Sequence, residues 1–118
     1  MKILVVEDDK SLSLAISIRL KSYGHSVDTS PDAISAMSKA VNFEPDAVLV
    51  DINLPGGDGF VVAERLANTS ETSAVPVIFM TASKKEGLKR RAVKAGAIGF
   101  LEKPFSSDEM FEVLDTCH

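Results

Sequence analysis

The sequence predicts an α/β domain, a doubly wound parallel sheet of five strands with a helix after each, (βα)5. Three observations carry that expectation. Blocks of four consecutive apolar residues recur at positions 3–6 (ILVV), 47–50 (AVLV) and 77–80 (VIFM). They are continuous rather than alternating and rich in β-branched residues, which suits strands covered on both faces. The stretches between them carry apolar residues at helical spacing, and strands alternating with helices require a parallel sheet with helices on both sides. At 118 residues the chain has the length of one domain, so residues 1–118 are read as a single unit without repeat, linker or low-complexity segment.

The elements follow in order. The first strand is the block at 3–6. In the helix after it, Leu12, Ala15, Ile16, Leu20 and Tyr23 share one face, Leu14 and Ile18 widen the apolar arc, and Gly24 stands where a helix stops. Asp9, just ahead of that helix, reads as its N-cap. A weaker strand falls at 26–29. Ser30 is the expected N-cap of the second helix, with Pro31 at its first position. Ile34, Met37 and Val41 form that helix's apolar face, and Pro45 closes it. The third strand is 47–50 and the third helix 60–67. The fourth strand is 77–80, followed by a helix over 86–95 that Gly96 ends. A second weak strand at 99–101 precedes a last helix over 107–116, whose apolar side is Met110, Phe111, Val113 and Leu114.

Composition excludes several functions. Thirteen basic and seventeen acidic side chains leave a net charge of -4, which argues against a surface built to grip nucleic acid. The one cysteine, Cys117, makes neither an internal disulfide nor a cysteine-based zinc site. No apolar run is long enough to span a membrane, and the first residues lack the long apolar core of a signal peptide. A cytoplasmic location is the expectation.

In open α/β sheets, ligands bind beyond the carboxyl ends of the strands. Glu7, Asp8 and Asp9 follow the first strand, Asp51 the third, Thr81 and Ala82 the fourth, and Lys103 and Pro104 the fifth. Three carboxylates at one sheet edge repel one another unless a cation joins them. Oxygen ligands without His or Cys suit Mg²⁺ or a similar hard ion. Three carboxylates, Lys103 and one Mg²⁺ sum to zero charge. Such a site can hold a phosphoryl group and supply its own nucleophile, because a carboxylate can attack phosphorus to give an aspartyl phosphate. Lysine and metal would neutralise the transferring oxygens, and Thr81 would donate a hydrogen bond to them.

At these residues the sequence resembles a response-regulator receiver domain, the CheY-like, flavodoxin-like phosphoacceptor module of two-component signalling. The matching pieces are residues 3–9, 51–59, 80–82 and 100–105, in order and each at a strand end. The resemblance implies a sheet in the order 2-1-3-4-5. It implies that Asp51 is the phosphoacceptor, with Lys103 on the phosphoryl oxygens and Thr81 as the hydroxyl that moves toward them. Glu7, Asp8, Asp51 and the main-chain carbonyl of Asn53 would hold Mg²⁺, Glu7 through a water. Phe100 would be the aromatic switch, and the Lys103–Pro104 bond would be cis. The donor would be a sensor histidine kinase or phosphotransfer protein. The domain would catalyse only its own phosphorylation and dephosphorylation, and so is not expected to be an enzyme. Asn53 and Ser83, two residues past the acceptor and past Thr81, are small and polar, which implies a short to moderate phosphoryl lifetime.

Gly56, Gly57 and Gly59 fit neither a Walker A nor a dinucleotide loop and read as turn residues. His25 and His118 stand isolated in the sequence. An aspartyl-phosphate phosphatase would need a substrate-capping insertion, which this sequence does not show, and a phosphorylation-independent pseudo-receiver would have lost the acceptor, the lysine or the acids, all of which are present. Six cations, Lys84, Lys85, Lys89, Arg90, Arg91 and Lys94, lie on or beside the fourth helix, while Asp108, Glu109, Glu112 and Asp115 make the fifth helix acidic. The resemblance makes the surface of the fourth helix, fifth strand and fifth helix the one that meets an output partner or a second copy. Ile98 and Gly99 replace the paired acids of members with winged-helix output domains, which weakens the expectation of their salt-bridged homodimer. The chain reads either as a complete single-domain regulator or as the receiver of a longer protein.

Overall fold

The computed structural model describes residues 1–117; His118 lies outside them. The elements are β1 (Lys2–Val6), α1 (Lys10–Ser22), β2 (Ser26–Ser30), α2 (Ala33–Phe43), β3 (Ala47–Asp51), α3 (Gly59–Ala67), β4 (Val77–Thr81), α4 (Leu88–Lys94), β5 (Gly99–Glu102) and α5 (Ser107–Asp115). The five strands are parallel in the order β2-β1-β3-β4-β5. Both weakly patterned strands, β2 and β5, are the edges. An edge strand is covered less than a central one and needs fewer apolar residues, which is why its signal in sequence is faint.

Alternate strand residues feed two cores. Leu4, Val6, Val48, Val50, Val77 and Phe79 face α2, α3 and α4, while Ile3, Val5, Leu49, Ile78 and Met80 face α1 and α5. The three central apolar blocks are therefore buried on both sides, as their continuous pattern requires.

The helix ends have local causes. Asp9 caps α1 by accepting from the Leu12 amide at 3.1 Å, as expected. Ser106 and Glu109 form a reciprocal capping box on α5. The second helix differs from expectation: its N-cap is Asp32, whose carboxylate accepts from the Ser35 amide at 2.7 Å and from the Ser35 hydroxyl at 2.9 Å. Ser30 is instead the buried last residue of β2, where its hydroxyl meets Ser35 Oγ at 2.6 Å. Pro31 lies in the turn between them. The fourth helix is shorter than expected because Gly87, at φ 85°, offers no side chain to cap it, leaving Glu86 outside.

The buried faces of α1 and α2 also differ. On α1, Ile16 and Leu20 reach the core beside the small Ser13 and Ser17, while Leu14 and Ile18 point to solvent. On α2 the core face is Ala33, Ala36 and Ala40; Ile34 is exposed and Met37 only partly covered. Small side chains let the helix lie close to the sheet, so alanines displace the larger residues from the contact. Tyr23 is likewise exposed, with its ring 3.9 Å from that of Phe111. His25 Nδ1 lies 3.0 Å from the amino terminus of Met1. The Lys103–Pro104 bond is cis.

Candidate functional site

The carboxyl ends of β1, β3, β4 and β5 bring the acidic, hydroxyl and lysine residues of the sequence motifs to one edge. Asp51 is the last residue of β3, opposite Met80 of β4, and is buried. The amides of Ile52 and Gly59 hold the turn after it, donating to the carbonyls of Met80 (3.0 Å) and Ile52 (2.8 Å). Gly59 is more than a turn residue. A Cβ there would collide with the Asp51 carbonyl oxygen and Ile52 Cα, so only glycine lets α3 start this close to Asp51. Gly56 and Gly57, both at positive φ, shape the loop as turn residues. Asp58 closes it by capping α3 through the Val61 amide at 3.0 Å.

Glu7 leaves β1 into the interior, its amide bonded to the Ser30 carbonyl at 2.9 Å. Glu7 Oε2 accepts from the Asp9 amide at 3.1 Å. Asp8, between them, is exposed. One oxygen from each of Glu7, Asp8 and Asp51 lies within 4.8 Å of the others. Asp9 turns away to its capping role and takes no part in this cluster.

Lys103 arrives from the far edge. Its amide donates to the Thr81 carbonyl at 2.8 Å, which ties the residue after β5 to the end of β4. Its ammonium pairs with Glu7 Oε1 at 2.5 Å and with Asp51 Oδ2. The other Asp51 oxygen, Oδ1, accepts from the Asn53 amide at 2.7 Å. Thr81 is buried, its hydroxyl accepting from the Ser83 amide at 3.0 Å. Phe100, half-buried in β5 opposite Phe79, packs against the α2–α3–α4 core.

The electrostatics follow from burial. The Glu7 carboxyl is pushed up to about 7, by desolvation first and by the neighbouring Asp51, against the pull of Lys103 and the Asp9 amide. For Lys103 burial works against the charge, but hydrogen bonds and attraction from Asp51 and Glu7 outweigh it and hold its pKa above the ordinary value. With all groups ionised, three carboxylates and one ammonium leave two uncompensated negative charges. That deficit and the all-oxygen donor set fit a hard divalent cation.

Reading the sequence alone missed two features of this region. One is the Gly59 contact, whose only sign is a glycine following the capping Asp58. The other is the stack of Arg91 on Phe60, between residues of two different helices.

Comparison with known proteins agrees with the fold. The response regulator receiver domain family matches residues 3–115. The DNA-binding dual master transcriptional regulator RpaA of Synechocystis sp. is 36% identical over 109 residues, covering 92% of this chain and 45% of the relative. The chain spans about half the length of the curated transcriptional regulators it matches. Among solved structures, the chemotaxis protein CheY4 of Vibrio cholerae superposes with a TM-score of 0.91 at 27% identity, over 99% of this chain and 98% of that one. The receiver domain of the sensor histidine kinase PA1611 of Pseudomonas aeruginosa, solved with a magnesium ion in its active-site cleft, gives 0.88 at 31% identity over 98% and 94%. The chain thus belongs to the response regulator receiver domain family, with the CheY-like order of five parallel strands.

Proposed function

We propose that this receiver domain is a phosphorylation switch in which Asp51 takes a phosphoryl group from a phosphohistidine of a sensor kinase or phosphotransfer protein. One observation carries the reading: a buried Asp51, paired with Lys103, stands within reach of the carboxylates of Glu7 and Asp8 at the strand ends. Mg²⁺, held by Glu7, Asp8, Asp51 and the main-chain carbonyl of Asn53, would supply the positive charge that the site lacks.

In the transfer, an Asp51 carboxylate oxygen attacks phosphorus, the new O–P bond forms, and the N–P bond breaks with its electron pair returning to the imidazole. Lys103 is already seated on Asp51 and exchanges part of that contact for a phosphoryl oxygen. Burial of Asp51 keeps bulk water from competing for the donor. Once phosphorylated, Asp51 offers new acceptors to the Thr81 hydroxyl. Withdrawal of Thr81 from the Ser83 amide frees space toward which Phe100 can turn. The output then depends on how far those differential contacts shift the population. The surface of α4, β5 and α5, basic on α4 and acidic on α5, would carry the signal to an output partner or a second copy. No helix among the described residues is long and apolar enough to cross a membrane, in keeping with a cytoplasmic site of action.

The test is intact mass after incubation with acetyl phosphate and Mg²⁺, quenched rapidly. One added phosphoryl group, absent in Asp51→Asn and in the presence of chelator, is the expected result. No added mass in the folded wild type would sink the proposal and identify a phosphorylation-independent binding module instead.

A further inference from the structure

Helix α4 is the shortest helix among the described residues and the one that buries fewest side chains. It has seven residues, buries only Ala92, and starts at a glycine with no side-chain cap. Val93 is 67% exposed on its outer side. Between α4 and α3 lies an open cleft of about 390 Å³, lined on the two sides by Phe60, Glu64 and Asn68 and by Arg91 and Lys94. One side chain closes across it. The Arg91 guanidinium sits 4.0 Å from the centroid of the Phe60 ring. Phe60 is itself buried and tilts against Phe79, with ring centroids 4.7 Å apart. Phe79 lies in β4 two residues before Thr81 and opposite Phe100. A continuous chain of packed groups therefore runs from the surface helix to the strand that ends at the site.

We propose that Arg91 is a clasp: its stack on Phe60 holds α4 against α3 and sets how readily the helix opens from the sheet. The chemistry suits the role. A planar guanidinium can lie over an aromatic face and keep its edge hydrated, which a lysine ammonium does less well. Among the described residues, no other cation of the basic segment stacks on a ring; Lys84 pairs with Glu102 instead. The clasp rests on the fold alone, so its failure would leave the phosphoacceptor reading untouched.

Hydrogen exchange followed by mass spectrometry on the full chain tests it, without metal or phosphoryl donor. In Arg91→Gln, peptides covering residues 87–97 should exchange about fivefold faster, the change in opening expected from one cation–π contact at a partly exposed site. Peptides from α1 should be unchanged. Arg90→Gln and Lys94→Gln remove the same charge from the same helix and replace it with another good helix former, so both should stay within about twofold of wild type. Phe60→Leu should reproduce the acceleration, and the double variant should add nothing further. Equal exchange in Arg91→Gln and Arg90→Gln would overturn the proposal, as would equal acceleration in all three charge variants. If Phe60→Leu also speeds α1, it has loosened the whole fold, and the comparison of Arg91→Gln with Arg90→Gln decides.

Discussion

Replacing Glu7 with Gln isolates the electrostatics of the strand-end site. In the folded protein the Glu7 carboxyl lies near 7 against an ordinary 4.5, because it is buried and stands beside Asp51. A group whose pKa is higher folded than unfolded binds its proton more tightly in the folded state. Stability therefore falls as the pH rises from 4.5 toward 7, and is level above that. At about 1.4 kcal/mol per pH unit, the interval amounts to on the order of 3 kcal/mol, most of it expressed between pH 5 and pH 8. Lys103 does not confuse the measurement. Its raised pKa gives stability that is fully present below 10.5 and is lost only above that, outside the window. Asp32 and Glu71 are lowered, so their contributions are present above their ordinary values of 3.8 and 4.5 and are lost only in more acid solution. Groups remote from Glu7 are common to both proteins and cancel. The assay is urea denaturation in chelator at pH 5, 6, 7 and 8, followed by far-ultraviolet circular dichroism because the chain has no tryptophan. Wild type should lose on the order of 3 kcal/mol relative to Glu7→Gln across that range. Parallel pH profiles, or a wild type that gains with pH, would refute the assignment of a buried carboxyl with a raised pKa at Glu7.

Two other perturbations probe the same edge. Gly59→Ala would push a methyl into the Asp51 carbonyl and Ile52 Cα, which as backbone cannot swing aside. A loss of about 1–3 kcal/mol in urea denaturation is expected, together with slower phosphorylation of Asp51 by acetyl phosphate. Lys103→Met, in chelator at pH 8, strands the Asp51 and Glu7 carboxylates and should destabilise by about 3–5 kcal/mol. The loss should shrink at pH 5, where Glu7 takes a proton, and urea denaturation at the two pH values reads both numbers.

The strand-end residues were legible because each acidic, hydroxyl or lysine motif directly follows an apolar block, and the end of a strand in a parallel sheet is a known place. Asp9 was legible as a cap for a similar reason: capping is a contact three residues long. The second helix shows where such local reasoning stops. Ser30 and Asp32 are both good capping residues, and sequence favours Ser30 because Pro31 follows it. Pairing of β2 with β1 extends the strand through Ser30 and passes the cap to Asp32. The same limit governs Leu14, Ile18 and Ile34. Helical spacing marks an apolar arc, yet which edge of the arc meets the sheet depends on how closely the helix can approach.

The sequence by itself determined the alternation of strands and helices, the two-sided burial of the central strands, and the set of groups that arrive at one sheet edge. Those properties follow from period and order along the chain, which short-range sterics and hydrophobic burial read directly. Only the tertiary structure decided which side of α1 and α2 is covered and that Lys103 bridges Glu7 and Asp51 across 96 and 52 positions of sequence. It alone decided that Gly59 touches the backbone of Asp51, and that Arg91 crosses a cleft to Phe60. Each of these is a distance between groups remote in sequence, set by how the layers pack, and no local pattern encodes it.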